Sequence, residues 1–266
     1  MEYTVIPCSP PLQRYVKHYW LLSVDEHDLL SPKAIMPYGW FELVFQRDMK
    51  TENISSSVGP NGFFTGQHDR SITINLSSPF RSAGISFQPW AGNLLFGIPA
   101  NNFTNKRSDF SDLDKDSDLA DSVFAASGHS EIKTLFDQYL AEKLVPRPID
   151  EVSEFITRQI LKAPSKNQLS RIIPQIGIGK RRIEQRFLSS TGVSISSYLR
   201  IARFDGALQM IGSLPDKSLT KIGLDAGYYD QAHFIRDFKA FSSVTPGFLR
   251  KTINGMDEVS KKLVLN

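Results

Sequence analysis

The chain has 266 residues, 41 % of them hydrophobic, which is room for two globular domains of ordinary soluble composition. Its net charge of +3 hides an uneven split: residues 1–147 hold 13 Lys+Arg against 17 Asp+Glu (−4), and residues 148–251 hold 16 against 9 (+7). The single cysteine, Cys8, excludes an intramolecular disulfide framework, and neither a signal-peptide pattern nor a run approaching about 18 apolar residues occurs, so a cytoplasmic protein without membrane association is expected.

The first third reads as short strands. Trp40–Phe45 is rich in β-formers, Ser71–Leu76 alternates at period two, and Ala83–Phe87 stops before Pro89. Clusters at Pro10-Pro11, Ser55–Pro60 and Ser77–Pro79 punctuate them as turns, which predicts a small barrel or sandwich. Residues 109–121 carry six aspartates and form a polar connector with several candidate helix caps. A helical pattern then covers 117–144, broken at Gly128, with Ile132, Leu135, Phe136, Tyr139 and Leu140 at three- and four-residue steps. That stripe predicts a homodimer through the helices of 119–144. Pro146-Arg147-Pro148 marks the boundary between domains at 1–145 and 148–251.

Beyond it, Ile149–Leu161 is predicted as a helix with Ile149, Val152, Phe155, Ile156 and Ile160 on one face. One pattern is then written twice. Leu169-Ser170-Arg171-Ile172 aligns with Leu219-Thr220-Lys221-Ile222, and Gly177 with Gly227. After a one-residue insertion, Ile183 meets Phe234, Phe187 meets Phe238, and Val193-Ser194 meets Val244-Thr245. Two copies are too few for a solenoid; two helix-turn-helix units, each offering one helix to a DNA groove, fit better. A helix of about 20 residues, roughly 30 Å, joins them over Ile195–Leu214, close to the roughly 34 Å of one DNA turn. Gly206 inside it is expected to mark a close helix crossing.

With Ile183 and Phe187 inward, Arg181, Glu184 and Gln185 share the opposite face. Arg suits guanine, Gln adenine, and Glu only the cytosine amino group. Lys180, Arg182 and Arg186 suit phosphates, as does Lys239 in the second copy. With Phe234 and Phe238 inward, Gln231, His233 and Arg236 are left for bases. The partner implied is double-stranded DNA, and the +7 half would concentrate the field that phosphates require.

Residues 219–250, LTKIGLDAGYYDQAHFIRDFKAFSSVTPGFLR, resemble the signature of the AraC family of bacterial transcription regulators, and 149–214 resembles that family's first unit and linker helix. The resemblance implies an all-α double helix-turn-helix domain, with Arg181, Glu184, Gln185, Gln231, His233 and Arg236 at base-contacting positions and RNA polymerase as a further partner. Departures are Gly179 at the usual polar cap, Gly223 at an alanine position, and Ser242-Ser243 in place of Phe-Gly. Pro37–Phe45, Ile85–Trp90 and Phe96–Pro99 look similar to a cupin-like sensor domain, although Trp90 replaces an expected glycine. The whole is therefore expected to be α+β: a small cupin-like β-barrel with flanking helices, then the double helix-turn-helix. A small-molecule effector is expected in the barrel, in a pocket lined by Trp20, Tyr38, Trp40, Phe41, Phe87 and Trp90.

Two rival readings remain. One is a constitutive binder whose barrel only dimerises. The other is a cupin-type enzyme fused to a DNA-binding domain, which would need clustered metal ligands. His18, His27, His68, His129 and His233 are scattered, and Cys8 has no histidine near it in sequence. No catalytic residue, cofactor or metal is therefore expected.

Overall fold

Nine-residue β2 (Val16–Val24) and eight-residue β7 (Phe80–Phe87) lie side by side and organise the N-terminal half. The computed structural model describes residues 1–28, 33–49, 62–69, 71–74, 78–144, 147–164 and 166–255. The other strands are β1 (Glu2–Ile6), β3 (Lys33–Ile35), β4 (Glu42–Asp48), β5 (Phe63–Thr65), β6 (Ile72–Ile74) and β8 (Arg107–Asp109). Six of them form one antiparallel sheet in the order β1-β2-β7-β4-β5-β8, while β3 and β6 pair separately.

This corrects the expected barrel: among the described residues the six-stranded sheet is open, with β1 and β8 at its edges. The three sequence-predicted strands correspond to β4, β6 and β7 with shifted ends; Asn75, Leu76 and the expected turn at 55–60 lie outside the described residues. The strand at β2 went unpredicted because its apolar residues run on with only Lys17, His18 and Ser23 among them, without the alternation that flags a half-buried strand. Both faces of this strand are covered, so alternation is not required of it.

Alternation nevertheless sorts the residues between the two faces. Tyr19, Leu43, Phe45, Phe64, Ala83, Ile85 and Phe87 point to one side. There they meet Phe136, Leu140 and Leu144 of α3 (His129–Leu144), with α1 (Phe110–Leu113) and α2 (Leu119–Ala125) beside it. The hydroxyl of Tyr19 donates to Asp137 Oδ1 at 2.7 Å, which fixes α3 across the sheet. Phe136 and Leu140 are fully buried, and Ile132, Leu135 and Tyr139 pack against the same core. The apolar stripe expected to make a dimer is thus covered by its own sheet.

Trp20, Val44 and Phe63 form a second cluster on the opposite face. The Trp20 indole lies flat over Gly84, where any Cβ would come within 2.2 Å of the ring. Glycine is needed at that point in the sheet for packing space.

The C-terminal half is helical throughout: α4 (Glu151–Lys162), α5 (Lys166–Ile172), a 3-10 turn at Ile173–Ile176, α6 (Lys180–Thr191), α7 (Ile195–Ser213), α8 (Leu219–Asp225), α9 (Gln231–Ser242) and α10 (Pro246–Asn254). A single apolar core built around Ile183, Phe187, Leu199, Phe204, Phe234 and Phe238 runs through them. Two details differ from expectation. Phe155 of α4 is 43 % exposed and not on the buried face. Gly206 of α7 faces open space, since a Cβ there would meet nothing within 4 Å, so no helix crosses at it.

Candidate nucleic-acid interface

The repeat seen in the sequence recurs in matching hydrogen bonds and turns of the structure, except that α6 lacks the side-chain cap that Asp230 gives α9. Asp150, Ser194, Ser218, Asp230 and Thr245 each accept a backbone N–H three residues on, capping α4, α7, α8, α9 and α10. Thr191 Oγ1 donates to Phe187 O (2.8 Å) and lies 3.2 Å from Val193 O; Ser242 Oγ makes the equivalent contacts to Phe238 O (2.8 Å) and Val244 O (2.9 Å). Helices α6 and α9 both end on a left-handed residue, Gly192 (φ 81°) and Ser243 (φ 64°). The turns before them use Gly177 and Gly227 at positive φ. Gly223 departs from alanine because a Cβ there would lie 2.8 Å from the Phe234 ring.

On α6, Ile183 and Phe187 are fully buried, while Lys180, Arg181, Arg182, Glu184 and Gln185 are exposed. Lys180 Nζ lies 3.8 Å from Glu184 Oε1, one turn away. Arg186 is placed differently from the expected phosphate contact. Its Nε donates to Asp150 Oδ2 at 2.8 Å, tying α6 to the cap of α4. Burial pushes the Asp150 carboxyl up, but hydrogen bonds from Arg186 and from the Ser153 backbone outweigh it and hold the group below the usual range.

On α9, Phe234 and Phe238 are buried, while Gln231, Ala232, Ile235, Arg236 and Lys239 are exposed. His233 sits at the margin of this face. Its ring meets Tyr228 edge-on at 5.3 Å, and its Nε2 lies 4.0 Å from Asp237 Oδ2. Asp237 in turn accepts from Arg200 of α7, with Nε 3.0 Å from Oδ1 and 3.2 Å from Oδ2 and the terminal nitrogen 2.5 Å from Oδ1. His233 therefore belongs to the tie between α9 and α7 more than to the outward face.

The N-terminal half reaches the far end of each outward-facing helix. Thr104 Oγ1 donates to Gly192 O at 2.6 Å, just past α6. The Ser71 N–H donates to Phe241 O at 2.9 Å, and Ser71 Oγ lies 3.4 Å from Ser243 Oγ, just past α9. Arg14 reaches Glu154 of α4 at 2.7 Å, and Arg158 of the same helix lies over the Trp90 ring at 4.8 Å. Neither Thr104 nor Ser71 carries a sequence signal, because both partners are backbone atoms or a serine more than 80 residues away.

The aromatic residues expected to line one effector pocket lie in different places. Phe41 and Phe87 are in the core beside Phe64. Trp20 is across the sheet from them, and the Trp90 indole N–H donates to Arg14 O at 3.0 Å. Only Tyr38 and Trp40 stack on each other, at 5.0 Å, with Lys17 Nζ 3.6 Å above the Trp40 ring. Next to them lies a buried polar group that the sequence did not flag. Glu42 accepts from Ser86 Oγ (3.0 Å) and Trp40 Nε1 (3.4 Å), and burial raises its pKa. Burial also lowers Lys17, raises Asp205 of α7, and, with Lys17 adjacent, pushes His18 down to about 4. Among the described residues no group of three His, Cys, Asp or Glu could hold a metal ion, and no helix is long and apolar enough to cross a membrane.

Two repeated units, each with a turn on a positive-φ glycine and a helix baring a polar face, form the pattern of a DNA-reading module. Residues 174–252 match the helix-turn-helix domain family. A helix-turn-helix domain is a DNA-binding module. Residues 4–109 match a family described as a domain of unknown function (DUF6597). No curated protein matches the chain. Among solved structures, ToxT from Vibrio cholerae is similar over 89 % of this chain and 98 % of its own, with 10 % identity and a TM-score of 0.50. ToxT holding an unsaturated fatty acid matches over 96 % and 97 %, with 9 % identity and a TM-score of 0.46. The C-terminal domain of AraT, a response regulator from Geobacillus stearothermophilus, matches over 38 % of this chain and 84 % of its own, with 20 % identity and a TM-score of 0.36. At these identities the likeness to ToxT concerns the fold alone.

Proposed function

We propose that the protein is a sequence-specific transcription regulator of the AraC type, which lays α6 and α9 in successive major-groove segments of one duplex. The observation that carries this reading is the repeated helix-turn-helix geometry, which bares one helix face in each unit in the half of the chain that holds the +7 charge. Arg181, Glu184 and Gln185 read bases from α6, and Gln231 and Arg236 from α9; Lys180, Arg182 and Lys239 meet phosphates. The 19 residues of α7 span about 28 Å and separate the two units by close to one DNA turn.

The N-terminal half controls this module by binding a small molecule. Support for this comes from the hydrogen bonds that Thr104 and Ser71 make at the C-terminal ends of the two reading helices. A ligand that moved the sheet would act on both helix ends at once, which is the differential contact a regulatory ligand needs.

The test is equilibrium binding of the full chain to duplex DNA across a salt series. Each neutralised phosphate steepens the log–log slope by about 0.9, so several contacts give a slope of several units. Binding that is flat between low and physiological salt contradicts the reading.

A further inference from the structure

The outward, largely polar face of α9 carries two apolar side chains, Ile235 and Ala232, beside the exposed Lys239. At 100° per residue, Ile235 and Ala232 stand between Gln231 on one flank and Arg236 on the other, with Lys239 one turn beyond. Ile235 is 38 % exposed although it flanks the face that buries Phe234, Phe238 and Phe241. The repeat makes the contrast informative. Counting from the buried pairs Ile183/Phe234 and Phe187/Phe238, Ile235 corresponds to Glu184, Ala232 to Arg181, and Arg236 to Gln185. Where α6 places an acid and a guanidinium, suited to cytosine and guanine, α9 places two hydrocarbon side chains at the same points. A surface built only for solubility gains nothing from a β-branched apolar residue ringed by Gln, Arg and Lys. The major groove does offer it a partner, the C5-methyl of thymine, and only A·T and T·A pairs present that group.

We infer that Ile235, with Ala232, reads thymine methyl groups, so that the operator is A·T-bearing under α9 and G·C-bearing under α6. This rests on the proposal above that α9 enters a major groove, and it adds which base chemistry each helix recognises. Gln231 on the flank fits it, since its amide suits the adenine paired to such a thymine.

Deoxyuridine differs from thymidine only by that methyl, which gives a clean test. The full chain is bound to its selected site and to sites in which single thymines are replaced by deoxyuridine. Substitution under α9 should weaken binding about fourfold per methyl contacted, the equivalent of burying one such group. In Ile235→Ala the penalty should shrink toward one, while the same replacement under α6 has no effect in either protein. Ile235 is surface-exposed, so an unchanged melting curve confirms that the variant is folded; Ile235→Asn serves as a second variant with the same expected loss of methyl sensitivity. Tight, sequence-selective binding that ignores deoxyuridine throughout overturns the inference and leaves the regulator reading standing. Failure to bind any duplex in a salt-dependent way removes both.

Discussion

Thr104 and Gly192, 88 residues apart in the chain, are joined by a 2.6 Å hydrogen bond from the threonine hydroxyl to the glycine carbonyl, at the residue that closes α6. A Cβ on Gly192 would come within 2.8 Å of that hydroxyl and 3.0 Å of Ala100 O, and its φ of +81° disfavours any side chain. The last turn of α6 is thus held from outside its own unit. Thr104→Val, nearly isosteric, should cost about 1 kcal/mol. It should also speed amide hydrogen exchange at residues 188–192. Exchange there equal to that of the unmodified protein would show that the contact does not hold the helix end.

Phe238→Ala should strongly destabilise the helical half of the chain. Phe238 is fully buried, with the Phe204 ring at 4.8 Å and the Phe234 ring at 5.5 Å. Truncating such a side chain costs about 3–5 kcal/mol, against a total domain stability of about 5–15 kcal/mol. Calorimetry checks this, and an unshifted melting transition would contradict the packing.

Gly206→Ala should stabilise the protein. The position lies inside α7 with nothing within 4 Å of an added Cβ, and glycine in a helix interior costs about 1 kcal/mol relative to alanine. A denaturation midpoint that rises with an unchanged slope is the expected result; a fall would mean that α7 needs the flexibility.

Much of the C-terminal half was legible because its signals are local. The caps at Ser218 and Asp230, the glycine turns and the Ile183/Phe187 and Phe234/Phe238 pairs all act within a few residues of chain. The outward face of α9 was legible only in part. Counting outward polar residues finds Gln231 and Arg236 but includes His233, which Tyr228 and the Asp237–Arg200 pair draw aside, and passes over Ile235 because it is apolar. In the N-terminal half β4, β6 and β7 were visible in outline, but sheet closure depends on pairing between distant strands, which no local pattern encodes. The stripe on α3 illustrates the same ambiguity: Leu140, fully buried against its own sheet, would unfold the domain as Leu140→Glu and could not report on a dimer.

Acid should loosen α6 from α4 before it affects the apolar core. The Asp150 carboxyl is held below its usual pKa by Arg186 and the Ser153 N–H, so its folded value is depressed. Such a group contributes stability above its unfolded pKa, and that contribution is lost as pH falls through the depressed folded value. Asp150→Asn should therefore lower stability at neutral pH and flatten its decline toward acid. Parallel stability–pH curves for the two proteins would contradict this.

The central claim, that two helices read two separate DNA segments, is tested most directly by selecting bound duplexes from a random pool with the full chain and with Arg181→Ala. The account predicts two short enriched motifs spaced by about 10–10.5 base pairs. In Arg181→Ala the motif under α6 should lose base preference by about 1–3 kcal/mol while the other is kept. Selection that enriches no sequence, or an Arg181→Ala variant that weakens both motifs equally, would contradict it.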